Sequence, residues 1–212
     1  MPAPSRRPAW ALAAEHLAAS DPVMESLHTR HGPPRLNRGP AASERFESLA
    51  SSIAYQQLNG TAAATIWGRV LGAVGSPFTP DRVVGAGPDA LRAAGLSGAK
   101  TAALLDLSER VIRGEVSLER IGRLDDDAVI DHLTVVRGIG PWTAQMFLMF
   151  DLRRIDVWPV GDYGVRAGLA RAHGWDEIPS EAAMRDLGEP YAPYRSVVAW
   201  WCWREVDSRT PA

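Results

Sequence analysis

The chain has 212 residues, of which 46% are hydrophobic, enough for one compact domain or two small lobes and too apolar for a disordered chain. A net charge of −2 excludes a basic tail protein, so any nucleic-acid contact must rely on local charge, backbone N–H groups or helix dipoles. The one cysteine, Cys202, excludes internal disulfides and a four-cysteine iron–sulfur site within one chain. No apolar run approaches a membrane span, and the N-terminal segment lacks the apolar core of a signal peptide, so a cytoplasmic location is expected.

In chain order, apolar residues at helical spacing predict helices over Pro8–Ala19, Ser43–Ile53, Thr61–Val74, Ala99–Ile112, Asp126–Val136, Val160–Ala172, Ser180–Leu187 and Pro193–Val206. Sustained period-two alternation is missing, which predicts an all-α fold with few strands. Gly75-Ser76-Pro77 and Gly85–Pro88 punctuate the middle, and Asp125 and Ser180 are placed to cap the helices that follow them. The run Asp125-Asp126-Asp127 reads as a solvated helix start, and transition-metal ligand spacing is not seen.

Leu133–Phe150, LTVVRGIGPWTAQMFLMF, is the most informative segment. One helix runs into Gly138-Ile139-Gly140, and Pro141 opens a second, at a position where its missing N–H is harmless. The glycines permit a tight turn and leave room for a phosphate. The N–H groups around Gly138, Gly140 and Thr143 can then face that phosphate at a helix N-terminus, a contact that reads backbone and not base sequence. A plain helical connection with Ile139 as a core plug is the alternative on these residues alone.

This hairpin, followed by RIDVWPVGDYGVR over Arg154–Arg166, resembles the helix-hairpin-helix superfamily of base-excision glycosylases, specifically the DNA-3-methyladenine glycosylase II branch in its compact form. The resemblance covers roughly residues 44–205. It implies a two-lobed helical glycosylase fold, a single unit over 1–212. The central lobe would span about 51–159 and hold the hairpin at 126–150. The second lobe would combine about 8–50 with 160–207. It further implies double-stranded DNA with a damaged base as partner, action as a monomer, and no required cofactor or iron–sulfur cluster. A Na+ or K+ ion is expected at the hairpin on the backbone carbonyls of Thr134, Val136 and Ile139.

The resemblance puts the essential carboxylate on Asp162, next to Tyr163, and leaves Asp156 a structural role. An ionised carboxylate near the sugar stabilises the positive charge that builds as the base leaves. Superfamily members that also nick the strand carry a lysine two residues after the second hairpin glycine. That position is Trp142 here, and Lys100 is the only lysine in the chain, so base removal without strand cleavage is expected. Trp142 offers an indole face to a cationic alkylated base. Tyr194, Trp158 and Tyr163 are further aromatic candidates for the base pocket, against ordinary core packing as the alternative.

The stretch SSIAYQQLNG over Ser51–Gly60 resembles the loop with which the same branch enters the minor groove. Carried over, Gln57 fills the gap left by the flipped nucleotide, Leu58 supports it, and Asn59 probes the neighbouring pairs. Lys100, in GLSGAK, is expected at a DNA phosphate. Two other functions stay open: a non-catalytic DNA-binding module of the same fold, and a glycosylase for deaminated or oxidised bases.

Overall fold

The computed structural model describes residues 9–36, 38–58 and 60–207. Asn59 lies outside the described residues. Eleven α-helices and three short 3-10 turns are found among them, with no strand, which fits the expected all-α class; the helices over 22–31 and 80–93 lie outside the predicted ones. No helix there is long and apolar enough to cross a membrane.

Two compact units emerge, Met1–Asn37 with Arg153–Ala212, and Arg38–Leu152. The sequence-based limits near 51 and 159 differ from these at both junctions, for local reasons. The helix α3 (Arg45–Tyr55) buries Phe46, Leu49, Ala50 and Ile53 and packs on α4 (Gly60–Val74) and α6 (Gly98–Ile112), which takes it into the second unit. The segment after Leu152 is tied to the first unit instead. Val157 N–H donates to Ser196 Oγ at 2.8 Å, and Ser196 N–H donates to the Ile155 carbonyl at 3.1 Å.

The first unit comprises α1 (Ala9–Ser20), α2 (Pro22–His31), α9 (Tyr163–His173), α10 (Glu181–Gly188) and α11 (Arg195–Asp207). Its core is built on Trp201, fully buried, whose indole N–H donates to the Gly32 carbonyl at 2.8 Å. The backbones of α9 and α11 meet at Gly168, where an added Cβ would lie 2.2 Å from the Cys202 carbonyl oxygen. That approach seals Cys202 completely, and burial pushes its thiol pKa far up. At the far end of α11 the buried Glu205 takes hydrogen bonds from Arg30 and from His31, the latter at 2.7 Å.

The second unit holds α3, α4, α5 (Pro80–Ala93), α6, α7 (Asp126–Thr134) and α8 (Pro141–Phe150). Leu49, Ile53, Leu91, Leu104, Leu107, Leu133 and Leu148 are among the side chains sealed in its core. The punctuation expected at Gly85–Pro88 is a kink inside α5: Gly87 turns to φ +76° and Pro88 restarts the helix. As anticipated, α7 is capped by Asp125, whose Oδ1 accepts from Ala128 N–H at 2.8 Å, and α10 by Ser180.

Candidate active site

In the second unit, α7 ends at Thr134, the chain turns through Gly138, and Pro141 opens α8. Only Gly138 of the two hairpin glycines needs its freedom: it sits at φ +77°, and a Cβ there would come within 3.1 Å of the Ala103 methyl. Gly140 is the extended N-cap of α8, and a Cβ there would meet nothing within 4 Å, which leaves open space in front of the helix start. The first intrahelical bond runs from Ala144 N–H to the Gly140 carbonyl at 3.1 Å, so the N–H groups of residues 142 and 143 precede it. Ile139 is buried as a core plug, and Thr143 is buried as well. Of the three carbonyls expected to hold a cation, that of Val136 accepts Ile139 N–H at 3.1 Å and has one lone pair beyond that bond. All three oxygens are neutral, a donor set that suits a singly charged ion.

The loop after α3 faces the same region of this unit. Gln57 stands at φ +56°, a left-handed conformation unusual for a side-chain-bearing residue, and both Gln57 and Leu58 are exposed. Leu58 is 40% exposed, well outside the core that its apolar character would favour. A cavity of about 590 Å³ is lined by Tyr55, Gln56, Gln57, Leu58, Trp142 and Met146 among others. Trp142 is 47% exposed, so an indole face is presented at this cavity. Gln56, to which the sequence assigned no role, joins the loop to the hairpin: its Nε2 donates to the Gly138 carbonyl at 3.1 Å and to Thr143 Oγ1 at 3.3 Å.

Lys100 does not stand out toward solvent as a phosphate ligand would. Its Nζ donates to the carbonyls of Ala54 at 2.8 Å and Gln56 at 2.6 Å, at the end of α3. An ammonium placed on the unsatisfied last carbonyls of a helix meets both their hydrogen-bonding need and the helix dipole. Within the unit, Lys100 is thus engaged on the loop rather than held out toward solvent. Partial burial there lowers its pKa from the usual lysine value.

In the first unit, the two competing aspartates part cleanly. Asp156 is gripped by Arg195, with Nε on Oδ1 and Nη2 on Oδ2 at 2.8 Å each and the backbone N–H of Arg195 on Oδ1 at 3.2 Å. Both of its oxygens thus serve to dock the start of α11. Asp162 is the extended N-cap of α9 and is half-buried. Its Oδ1 accepts Val165 N–H at 2.8 Å and the indole N–H of Trp203 at 2.9 Å. The carboxylate is thus fixed by a main-chain donor and an aromatic donor with little freedom to move, at a helix N-terminus that favours its negative charge. Trp203 was assigned no role by the sequence; its bond to Asp162 spans 41 residues, and no local pattern announces it.

Tyr163, directly after Asp162, is 65% exposed. Tyr194 is half-buried and meets His16 edge-on, with ring centroids 5.3 Å apart. Trp158 departs from expectation. Its indole is buried, donates to the Met184 carbonyl at 2.6 Å and lies where a Cβ on Gly188 would come within 2.4 Å of its nitrogen. A ring packed this tightly has no face for a base, so Trp158 is a core residue of this unit and not a pocket wall. Among the described residues no group of His, Cys, Asp or Glu is arranged to hold a metal ion.

Similar proteins match the chain over most of its length. The chain is 33% identical over 192 residues to the DNA-3-methyladenine glycosylase 1 of Schizosaccharomyces pombe, covering 89% of this chain and 84% of that protein. The solved structure of a 3-methyladenine DNA glycosylase from the same yeast, in complex with abasic DNA, superposes with a TM-score of 0.81 at 32% identity, over 91% of this chain and 95% of that one. A DNA-3-methyladenine glycosidase from Bacillus halodurans gives 0.80 at 33% identity, over 91% and 88% of the two chains. Residues 50–193, from the middle of α3 through both hairpin helices and Asp162, match the model of the HhH-GPD superfamily base excision DNA repair proteins, and the chain belongs to that family.

Proposed function

We propose that the protein is a monofunctional DNA glycosylase of base excision repair, which flips alkylated bases of the 3-methyladenine and 7-methylguanine type out of duplex DNA and hydrolyses the N-glycosidic bond. The observation that carries this is the fixed carboxylate of Asp162, held by Val165 and Trp203 in a chain whose other candidate, Asp156, is spent on Arg195.

Departure of an alkylated purine leaves the sugar with oxocarbenium character. A preoriented carboxylate stabilises that charge and orients or deprotonates the water that attacks the anomeric carbon. Alkylation at N3 or N7 already makes the base a good leaving group, so no general acid is needed. Trp142 supplies an indole face for the cationic base, with Tyr163 and Tyr194 as further aromatic contacts. Gln57 and Leu58 enter the minor groove, and the turn at Gly138, Gly140 and Thr143 holds a phosphate through backbone N–H groups. A Na+ or K+ ion on the Thr134, Val136 and Ile139 carbonyls belongs to the same reading, as do a monomeric state and a cytoplasmic location. The hairpin carries Trp142 in place of a lysine, and the single lysine is engaged at α3, which supports release of an intact abasic strand.

The test is to incubate the protein with randomly methylated duplex DNA and identify the released bases by chromatography. Methylated purines are expected. Asp162→Asn is expected to lower release by at least about a hundredfold while affinity for abasic DNA persists. Release of no base from any lesion would favour a non-catalytic DNA-binding module, and release of oxidised or deaminated bases alone would move the substrate class.

A further inference from the structure

One face of α6 touches both of the DNA-facing elements of the second unit. Lys100, Ala103, Asp106 and Arg110 are three, three and four residues apart and so form a single stripe along that helix. At one end Lys100 Nζ holds the Ala54 and Gln56 carbonyls at 2.8 and 2.6 Å. In the middle the Ala103 methyl fills the space beside Gly138. Further along, Asp106 Oδ2 accepts the backbone N–H of Arg137 at 2.8 Å and is itself held by Arg110 Nε at 2.9 Å. Gln56 completes the frame from the loop side through the Gly138 carbonyl and Thr143 Oγ1.

Most of these bonds end on main chain. They therefore fix the path of the loop backbone and of the turn backbone, not merely a pair of side chains. The residue immediately beyond the clamp is Gln57, held at φ +56°, and after it comes exposed Leu58. A left-handed glutamine persists only where its surroundings over-determine it. A loop that had to find this shape during base flipping would add its ordering to the work of unstacking. Fixing the backbone of one residue is worth roughly 5- to 30-fold in an equilibrium.

We propose that Lys100 and Gln56 are positioning residues for nucleotide flipping: anchored on α6 and on the hairpin turn, they hold the Gln57–Leu58 loop preformed at a set height over the turn. The proposal rests on the glycosylase reading above. Lys100 touches no substrate in this scheme; its charge serves the two carbonyls, and its effect reaches the duplex through the loop.

The experiment compares Lys100→Met with the unaltered protein on two substrates. One carries the methylated purine fully paired; the other carries the same lesion as an unpaired single-nucleotide bulge, where flipping is already largely accomplished. Loss of the brace is expected to lower kcat/KM about 10- to 100-fold on the paired substrate and to leave the bulged one nearly unchanged. Lys100→Arg, which keeps charge and donors, is expected to recover part of the loss. Equal losses on both substrates would mean a general structural role and would overturn the proposal, as would no loss on either. Gln56→Glu, which turns an acceptor toward the Gly138 carbonyl, replaces Lys100→Met if that variant does not fold, and is expected to show the same split. Hydrogen exchange over residues 55–60 answers independently of catalysis: uptake must rise in the variant. Unchanged protection would overturn the brace, whereas an unaltered protein that releases no base from either substrate would overturn the glycosylase reading alone.

Discussion

Gly164, at the second position of α9, lies against the bond that fixes Asp162. On helix propensity alone, alanine should be better there by about 1 kcal/mol. The space is taken, however: a Cβ would lie 2.9 Å from Trp203 Cδ1, 3.2 Å from Asp162 Oδ1 and 3.4 Å from Trp203 Nε1. Carbon–carbon contacts settle near 3.5 Å, so the indole must retreat by roughly 0.6 Å. A retreat of that size along the bond would stretch the Nε1–Oδ1 hydrogen bond, now 2.9 Å, to about 3.5 Å, the limit of useful geometry. A hydrogen bond to a charged acceptor contributes about 1.5–3 kcal/mol. If the carboxylate must stand in this orientation at the transition state, Gly164→Ala should slow base release roughly 10- to 100-fold. The assay is single-turnover release from methylated duplex, with enzyme in excess, alongside abasic-DNA affinity by fluorescence anisotropy. Affinity should change little, whereas the melting temperature should fall by several degrees, because the same bond is lost from the fold. Trp203→Phe removes the same donor without adding a methyl and should match. An unchanged rate in both variants would refute the claim that the Trp203 bond sets the carboxylate.

Asp156→Asn should weaken the fold by about 1.5–3 kcal/mol in urea unfolding, because the Arg195 fork loses its charged acceptor, yet leave the chemistry of folded molecules intact. Gly168→Ala should cost more than about 3 kcal/mol or prevent folding, since a methyl there meets the Cys202 backbone and not a movable side chain; a melting curve decides it. Burial would raise the pKa of Glu205, but hydrogen bonds from His31 and Arg30 outweigh it and leave the carboxyl below its ordinary 4.5. Its stabilising contribution is therefore full above about pH 4.5 and disappears as pH falls through the depressed value. Glu205→Gln should destabilise the protein at pH 7 and flatten the acid limb of its stability curve, which a urea midpoint series from pH 7 down to about 3 will record.

What could be read from the chain was what is local. Gly138 and Pro141 mark the hairpin because a left-handed turn and a helix start each demand their own residue type. The choice of Asp162 rests on a stretch of neighbours, and the structure adds that it caps α9. The helix α2 passed unread although Asp21 caps it, because PVMESLHTRH buries only Met24 and Leu27 and shows little periodicity. Long-range partners were out of reach. Lys100 has the charge of a phosphate ligand, but its partners lie 44 and 46 residues back along the chain. Trp158 sits beside the aspartate motif, while the residue that decides its fate, Gly188, lies 30 residues on at the end of α10. In each case the residue type was right for the expected role, and a distant neighbour had already engaged it.

The sealing of Cys202 between α9 and α11 makes the protein a silent background for thiol chemistry. It is the single cysteine of the chain, fully buried, with an ionisation too costly to supply thiolate at neutral pH. A cysteine introduced at exposed Tyr163 or Leu58 would be the one thiol to react, with no native residue to remove first. Spin labels, fluorophores or a disulfide-bearing oligonucleotide could then report from those positions in otherwise unaltered protein.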